Sequence, residues 1–62
     1  MSVYKALDLA AFIAENHNVS DSFLEIYTMR REYYDIFESV EYTMKYLGLY
    51  DEWYNMWVNQ VE

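Results

Sequence analysis

The stretch that decides the fold is residues 22–47, which reads SFLEIYTMRREYYDIFESVEYTMKYL. It contains neither proline nor glycine, the two residues that most often interrupt a helix. Its apolar residues recur at alternating intervals of three and four, as the a and d positions of a heptad repeat do. The stretch therefore predicts one long helix with a coiled-coil-like seam, formed by Phe23, Ile26, Arg30, Tyr33, Phe37, Val40, Met44 and Leu47.

Both ends of this helix have recognisable signals. Ser22 and Glu25 have the spacing of a capping box, and Ser20 is an equal candidate for the N-cap. Gly48 is the only glycine of the chain and predicts the end of the helix, since glycine adopts the left-handed conformation there. The helix would be roughly 38 Å long at 1.5 Å per residue.

Two shorter helices flank the long one. The first is predicted over 3–15, with Ser2 as N-cap and an apolar stripe that Leu9 and Phe12 widen, so that this helix should be mostly buried. The last is predicted over 50–61, with Leu49, Trp53, Met56, Trp57 and Val61 on one side. The expected architecture is all-α, a single domain over residues 1–62 with short, long and short helices.

The length of the chain also predicts self-association. A domain of about 60 residues buries only roughly 60% of the surface of its unfolded chain. Two short helices cannot cover a seam of nearly four heptads, so we expect a homodimer formed through Phe23–Leu47.

Composition narrows the class of partner. Eleven acidic residues against four basic ones give a net charge of −7, which argues against direct binding of nucleic acids or anionic membranes and for a protein partner with a basic surface. The chain has no cysteine, so it forms no disulfide or thiolate metal site. The apolar segment 7–14 is interrupted by Asp8 and is too short to span a bilayer. We expect a soluble, cytoplasmic protein, acting in the host cytoplasm if it is viral.

No pattern in the chain indicates catalysis. His17 is the only histidine and lies in an Asn-rich turn, where we expect a solvated side chain. A metal site would need three further ligands, and no phosphate-binding loop or catalytic triad is present. We therefore predict that the protein is not an enzyme and has neither cofactor nor metal.

Four acidic residues recur at every third position of the predicted long helix: Glu32, Asp35, Glu38 and Glu41. On a continuous helix their carboxylates would form a spiral opposite the seam, rising about 4.5 Å at each step. Such a row could imitate the phosphates of a nucleic acid towards a basic groove. Glu32, Asp35 and Glu38 are the predicted contacts.

The alternative is an ordinary solvated helix face. Acidic residues on the outside of a helix keep a small protein in solution. Arg31 can pair with Asp35, and Lys45 with Glu41, each at the i,i+4 spacing of neighbours on a helix.

Aromatic residues are concentrated near Gly48. Six fall within sixteen residues: Tyr42, Tyr46, Tyr50, Trp53, Tyr54 and Trp57. A domain this small cannot enclose them all, and exposed tyrosines are frequent anchors of protein interfaces. We predict that Trp53 is the core residue and that Tyr42, Tyr46 and Tyr54 are partner contacts, the alternative being a tyrosine-rich core.

Arg30 is the one charged residue of the seam. It can lie along Tyr33 and Tyr34 with a cation–π contact and reach solvent. Alternatively, it can meet a carboxylate such as Asp8 or Glu15, in its own chain or in a second copy.

In size, charge and aromatic content the chain resembles the small proteins with which bacteriophages disable host enzymes, among them anti-CRISPR and anti-restriction proteins. The resemblance implies an inhibitor or modulator that blocks a larger, possibly nucleic-acid-binding protein by occlusion. The alternative function is a structural or adaptor subunit of a helical assembly.

Overall fold

The structure, a computed structural model, describes residues 2–60, which form four helices and no strand. The helices are α1 (Val3–Asn16), α2 (Ser20–Arg31), α3 (Ile36–Leu47) and α4 (Tyr50–Val58). The predicted all-α class is confirmed. The predicted count of three helices is wrong, because the segment 22–47 is divided into two helices. The last helix ends at Val58 rather than at 61, and Val61 lies outside the described residues.

Helix α1 agrees with the prediction at both ends. Ser2 is its N-cap, and the Ser2 Oγ accepts the N–H of Tyr4 at 3.0 Å. At the other end Asn18 adopts a left-handed conformation with φ of 61°, and the N–H of Val19 donates to the carbonyl of Ala14 at 2.9 Å. This Schellman-type ending turns the chain sharply. Helix α2 therefore begins at once, with Val19 as its N-cap.

Neither predicted N-cap of the second helix is used. Ser20 is already the first residue of α2, and Ser22 lies inside its first turn. The N-cap position carries no side-chain hydrogen bond. The tight ending of α1, rather than a capping serine, fixes where α2 starts.

The long helix is broken at Asp35. The N–H groups of Tyr33 and Tyr34 both donate to the carbonyl of Arg30 and close the last turn of α2. Asp35 is extended, with ψ of −179°, and its Oδ1 accepts the N–H of Glu38 at 2.8 Å. This is an N-cap contact, and it starts α3 in a new direction.

The carbonyl freed by the break is satisfied by side chains. The Tyr34 oxygen accepts from Nη1 of Arg31 at 2.8 Å and from Oγ of Ser39 at 3.4 Å. The predicted ion pair between Arg31 and Asp35 is therefore wrong. Arg31 instead donates to the Tyr34 carbonyl, and Asp35 instead accepts the N–H of Glu38. Residues 31–33 and Asp35 are exposed to solvent, so backbone groups that the break leaves without a protein partner can bond to water, which limits its cost.

The break is favoured because it buries the seam within one chain. Phe23 of α2 and Val40 and Met44 of α3 become fully or almost fully buried. Burying one side chain of this size is worth about 1.5–3 kcal/mol, whereas a backbone hydrogen bond contributes a net of about 1 kcal/mol. Folding back into an antiparallel hairpin of α2 and α3 is thus more favourable than one exposed helix.

The hairpin changes what the seam residues can do. Phe23, Val40 and Met44 are taken up by the chain's own core, while Tyr33 lies in the turn and is 80% exposed. The continuous seam inferred from the heptad pattern does not exist. Homodimerisation stays a prediction, and it would have to use the surface that remains exposed.

Helices α1 and α3 form the centre of the core, since each of them contacts the other three helices. The buried stripe of α1 is Ala6, Ala10, Ile13 and Ala14, and its three alanines are small enough for neighbouring helices to approach closely. Phe12, which we expected to widen the buried stripe, is 53% exposed. The face of α1 that enters the core is therefore narrower than predicted.

Trp53 anchors α4 to α1. Its side chain is fully buried, and its Nε1 donates to the carbonyl of Ala6 at 2.9 Å. Phe37 packs on Trp53 and Trp57, with ring centroids 5.6 and 5.7 Å apart. The prediction that Trp53 is the core tryptophan is confirmed.

The end of α3 is also as predicted. Gly48 has φ of 75°, and the N–H of Leu49 donates to the carbonyl of Met44 at 2.9 Å. Glycine is needed here for its conformation, because a side chain would disfavour this φ even where space is free. The chain can then begin α4 at Tyr50.

Replacing Asp35 tests the break. We expect Asp35→Ala to lower the free energy of unfolding by about 1 kcal/mol, since the N-cap acceptor is lost. Asp35→Asn should preserve most of the stability because asparagine caps as well. Urea denaturation followed by circular dichroism measures both, with Glu32→Ala as a control that also removes one charge. Equal stability of Asp35→Ala and Glu32→Ala would show that the cap does not hold the turn.

Trp53 and Trp57 form a matched pair for testing the core. We expect Trp53→Ala to cost about 3–5 kcal/mol, as for other buried large aromatic residues, which is much of the stability of a small domain. Trp57→Ala should cost clearly less, because Trp57 is only half-buried. Thermal unfolding of both variants decides the point, and equal losses would contradict this assignment of the core.

Candidate functional site

A concave surface with apolar walls lies between α2 and α3. We call it the hairpin groove. It encloses about 370 Å³ and is lined by Ser22, Glu25, Ile26, Met29, Arg30, Tyr46 and Leu47. Met29 and Tyr46 stand on its two sides and are 60% and 72% exposed. The groove therefore offers large apolar side chains that the fold itself does not use.

Arg30 joins this groove to an aromatic cluster. Its guanidinium carbon lies 5.4 Å from the ring centroid of Tyr42, and Tyr42 in turn packs on Tyr34 with centroids 4.9 Å apart. The predicted cation–π contact is thus present, but with Tyr42 rather than with Tyr33 or Tyr34. Within residues 2–60 no salt bridge joins Arg30 to Asp8 or Glu15, so the intrachain carboxylate alternative is wrong. The Nε of Arg30 is buried without an acceptor.

The predicted carboxylate spiral is not formed. Glu32 follows the end of α2, Asp35 is the N-cap of α3, and Glu38 lies in the first turn of α3. Glu41 is half-buried, and its carboxylate lies 3.9 Å from Nζ of Lys45, which confirms that ion pair. The spiral was inferred from a continuous helix, and it disappears with the break at Asp35.

The hairpin nevertheless gathers most of the predicted site residues on one side of the molecule. Residues four apart share a helix face, so Glu38, Tyr42 and Tyr46 form one row along α3. Glu25 and Met29 form a row along α2. Because the two helices are antiparallel, Glu32 at the end of α2 lies at the same end of the hairpin as Glu38 at the start of α3. The surface is therefore aromatic and apolar at its centre, with acidic residues around it.

Tyr54 is the exception among the predicted contacts, because it lies on α4. Its ring stacks on that of Tyr50 with centroids 5.6 Å apart, and it is 44% exposed. Partial burial of Tyr50 and the nearby carboxylate of Glu41 raise the pKa of the Tyr50 phenol above its ordinary value. Because the folded state disfavours the phenolate, the stability of the fold should fall as the pH rises above about 10.

His17 has a partner that the sequence did not suggest. Its Nε2 lies 2.9 Å from Oε1 of Glu52 at the start of α4, and both side chains are about half exposed. An exposed pair of this kind contributes little to stability. No group of three or more potential metal ligands occurs within residues 2–60.

Met29 and Glu25 line the groove, but the sequence did not predict a binding role for either of them. The signal for Met29 was the weaker one. Met29 lies outside the heptad seam, and its only signal was its place beside the apolar stripe of α2. The break itself had a clearer signal, since Asp35 and Glu38 have the spacing of a capping box. That signal was hidden by the unbroken heptad pattern around it.

Comparison of the chain with known protein families, characterised proteins and solved structures finds no match. None of the four helices within residues 2–60 has the length and apolar character needed to cross a bilayer.

Tyr46 and Tyr54 differ in what they do for the fold. We expect Tyr46→Ala to change the free energy of unfolding by no more than about 0.5 kcal/mol, as at ordinary surface sites. Tyr54→Ala should cost more, because it removes a ring stacked on Tyr50. Thermal denaturation of the two variants measures the difference. A loss at Tyr46 as large as that of Trp53→Ala would mean that Tyr46 is a structural residue.

Proposed function

We propose that this chain is a small acidic protein-binding inhibitor or modulator that blocks a larger protein by occlusion. One observation carries the proposal: Met29 and Tyr46, both more than half exposed, flank a single groove between α2 and α3. Tyrosine and methionine are enriched at protein interfaces, where they bury much area. Single exposed apolar residues are ordinary, whereas a pair that shares a concavity is typical of a binding surface.

The acidic character of the chain supports a partner with a basic surface. A net charge of −7 speeds encounter with positively charged proteins and disfavours acidic ones. Glu25, Glu32 and Glu38 surround the aromatic centre described above. Proteins that bind nucleic acids present basic grooves, and they are the class that an acidic inhibitor acting in the cytoplasm would block.

Occlusion is compatible with the size of the chain. A standard protein interface buries about 800 Å² on each partner, which is about a fifth of the 4234 Å² accessible surface. The rest of the domain would then stand over the partner's surface. No catalytic group is required of this chain. The mechanism matches the phage inhibitors that the chain resembles in size and charge.

A second candidate is an adaptor subunit of a helical assembly. Phe12 of α1 is 53% exposed and Leu24 of α2 is 59% exposed, and neither lines the hairpin groove. A subunit enclosed on several sides would bury such residues. This candidate predicts association that resists salt, whereas binding to a basic surface weakens as ionic strength rises.

Capture experiments with matched tyrosine variants test the proposal. The immobilised chain, Tyr46→Ala and Tyr4→Ala are exposed to lysate of cells that produce the protein, and retained proteins are quantified by mass spectrometry. Tyr4 is the control, because it is 64% exposed but lies on α1. We expect a partner that is retained by the wild type and Tyr4→Ala, is lost with Tyr46→Ala and elutes as salt rises. Equal retention by all three proteins, or retention that salt leaves unchanged, would contradict the proposal.

A further inference from the structure

The shape of the hairpin groove limits what can occupy it. Its α2 wall runs from Ser22 to Arg30, about 12 Å at 1.5 Å per residue, and its α3 wall is Tyr46 and Leu47. Residues 2–60 contain no strand, so this part of the chain offers no sheet edge that could pair with an extended peptide. Contacts in the groove must be made by side chains, as when an amphipathic helix lies in an apolar groove.

The charged residues around the groove indicate which side chains the flanks of a bound helix should carry. Glu25 lines the groove, and Glu32 and Glu38 lie at the end where the hairpin turns. The basic residue that lines the groove is Arg30, whose guanidinium lies over the ring of Tyr42. A second copy of this chain would bring a further net charge of −7 to an already acidic surface, which disfavours it as the occupant. Lysine or arginine on the flanks of the bound helix would be favoured.

We infer that the hairpin groove binds a basic amphipathic helix of the partner protein, with apolar side chains at i, i+3 or i+4, and i+7. This inference rests on the proposed function and names the element that the partner contributes. The apolar side chains contact Ile26, Met29, Tyr46 and Leu47 in the groove. The basic side chains face Glu25 and Glu32. A helix of about 12 residues, about 18 Å long at 1.5 Å per residue, is long enough to cover the groove.

Synthetic peptides test the inference without knowledge of the partner. The probe is a fluorescent peptide of about 12 residues, which as a helix is long enough to cover the groove, with leucines on one helical face and lysines on its flanks. One control has the same composition with the leucines distributed around the helix. A second control keeps the leucine face and replaces lysine by glutamate. Fluorescence anisotropy measures the affinity of each peptide for the full chain.

We expect the basic amphipathic peptide to bind at least about tenfold more tightly than either control, which corresponds to about 1.4 kcal/mol. Tyr46→Ala should weaken this binding by a similar factor, and Tyr4→Ala should leave it unchanged. Circular dichroism of both variants verifies that the fold is retained. Equal binding of the scrambled basic peptide, or full binding by Tyr46→Ala, would overturn the inference.

A pair of double variants tests whether Glu25 and Glu32 attract the basic peptide. The double variant Glu25→Gln with Glu32→Gln should weaken binding of the basic peptide and reduce its dependence on salt. Asp8→Asn with Glu15→Gln removes the same charge from exposed positions of α1 and should have a smaller effect. Equal effects of the two double variants would show that net charge alone attracts the peptide and would overturn the assignment of Glu25 and Glu32.

The two proposals fail in distinguishable ways. Capture of a protein that depends on Tyr46, combined with failure of the basic peptide, would leave the proposed function standing and refute the basic helix. Binding of the peptide in the groove, combined with capture that is indifferent to Tyr46, would refute the proposed function and retain the helix site.

Discussion

The whole arrangement depends on the turn at Asp35, where the N–H of Glu38 donates to the Asp35 carboxylate at 2.8 Å. It ends what would otherwise be one helix and lets α3 return along α2. Phe23, Val40 and Met44 then enter a common core. The same turn creates the groove between the two helices and brings Tyr42 over Arg30. Core and candidate site are thus two consequences of one helix start.

Much of the fold was predictable because its signals are local. The ends of α1, the left-handed Gly48 and the buried Trp53 each follow from residues within a turn or two of the feature itself. The heptad pattern did not predict the break at Asp35, because the three-four spacing of its positions continues unchanged across the turn. Periodicity shows which residues face the core, but it does not show whether a partner helix is intramolecular. Here the chain provides that partner itself.

The candidate site was predictable only in part, and for a physical reason. The exposure of Tyr42, Tyr46 and Tyr54 followed from a shortage of core volume, which composition alone reveals. The contact of Tyr34 with Tyr42 and the pairing of His17 with Glu52 need the tertiary fold, since these residues share no helix. The groove likewise belongs to two helices at once. Met29 became a candidate only when α3 placed Tyr46 on the opposite side.

The fold-back at Asp35 is tested most directly by a distance between α2 and α3. The chain has no cysteine, so spin labels attached at Asp21→Cys and Lys45→Cys report on that pair alone. A continuous helix would separate the two backbone sites by about 36 Å at 1.5 Å per residue. The hairpin predicts a distance below roughly 20 Å, since packed helix axes lie only 8–10 Å apart. Pulsed electron paramagnetic resonance that gives a single distance near 36 Å would contradict the fold and the groove.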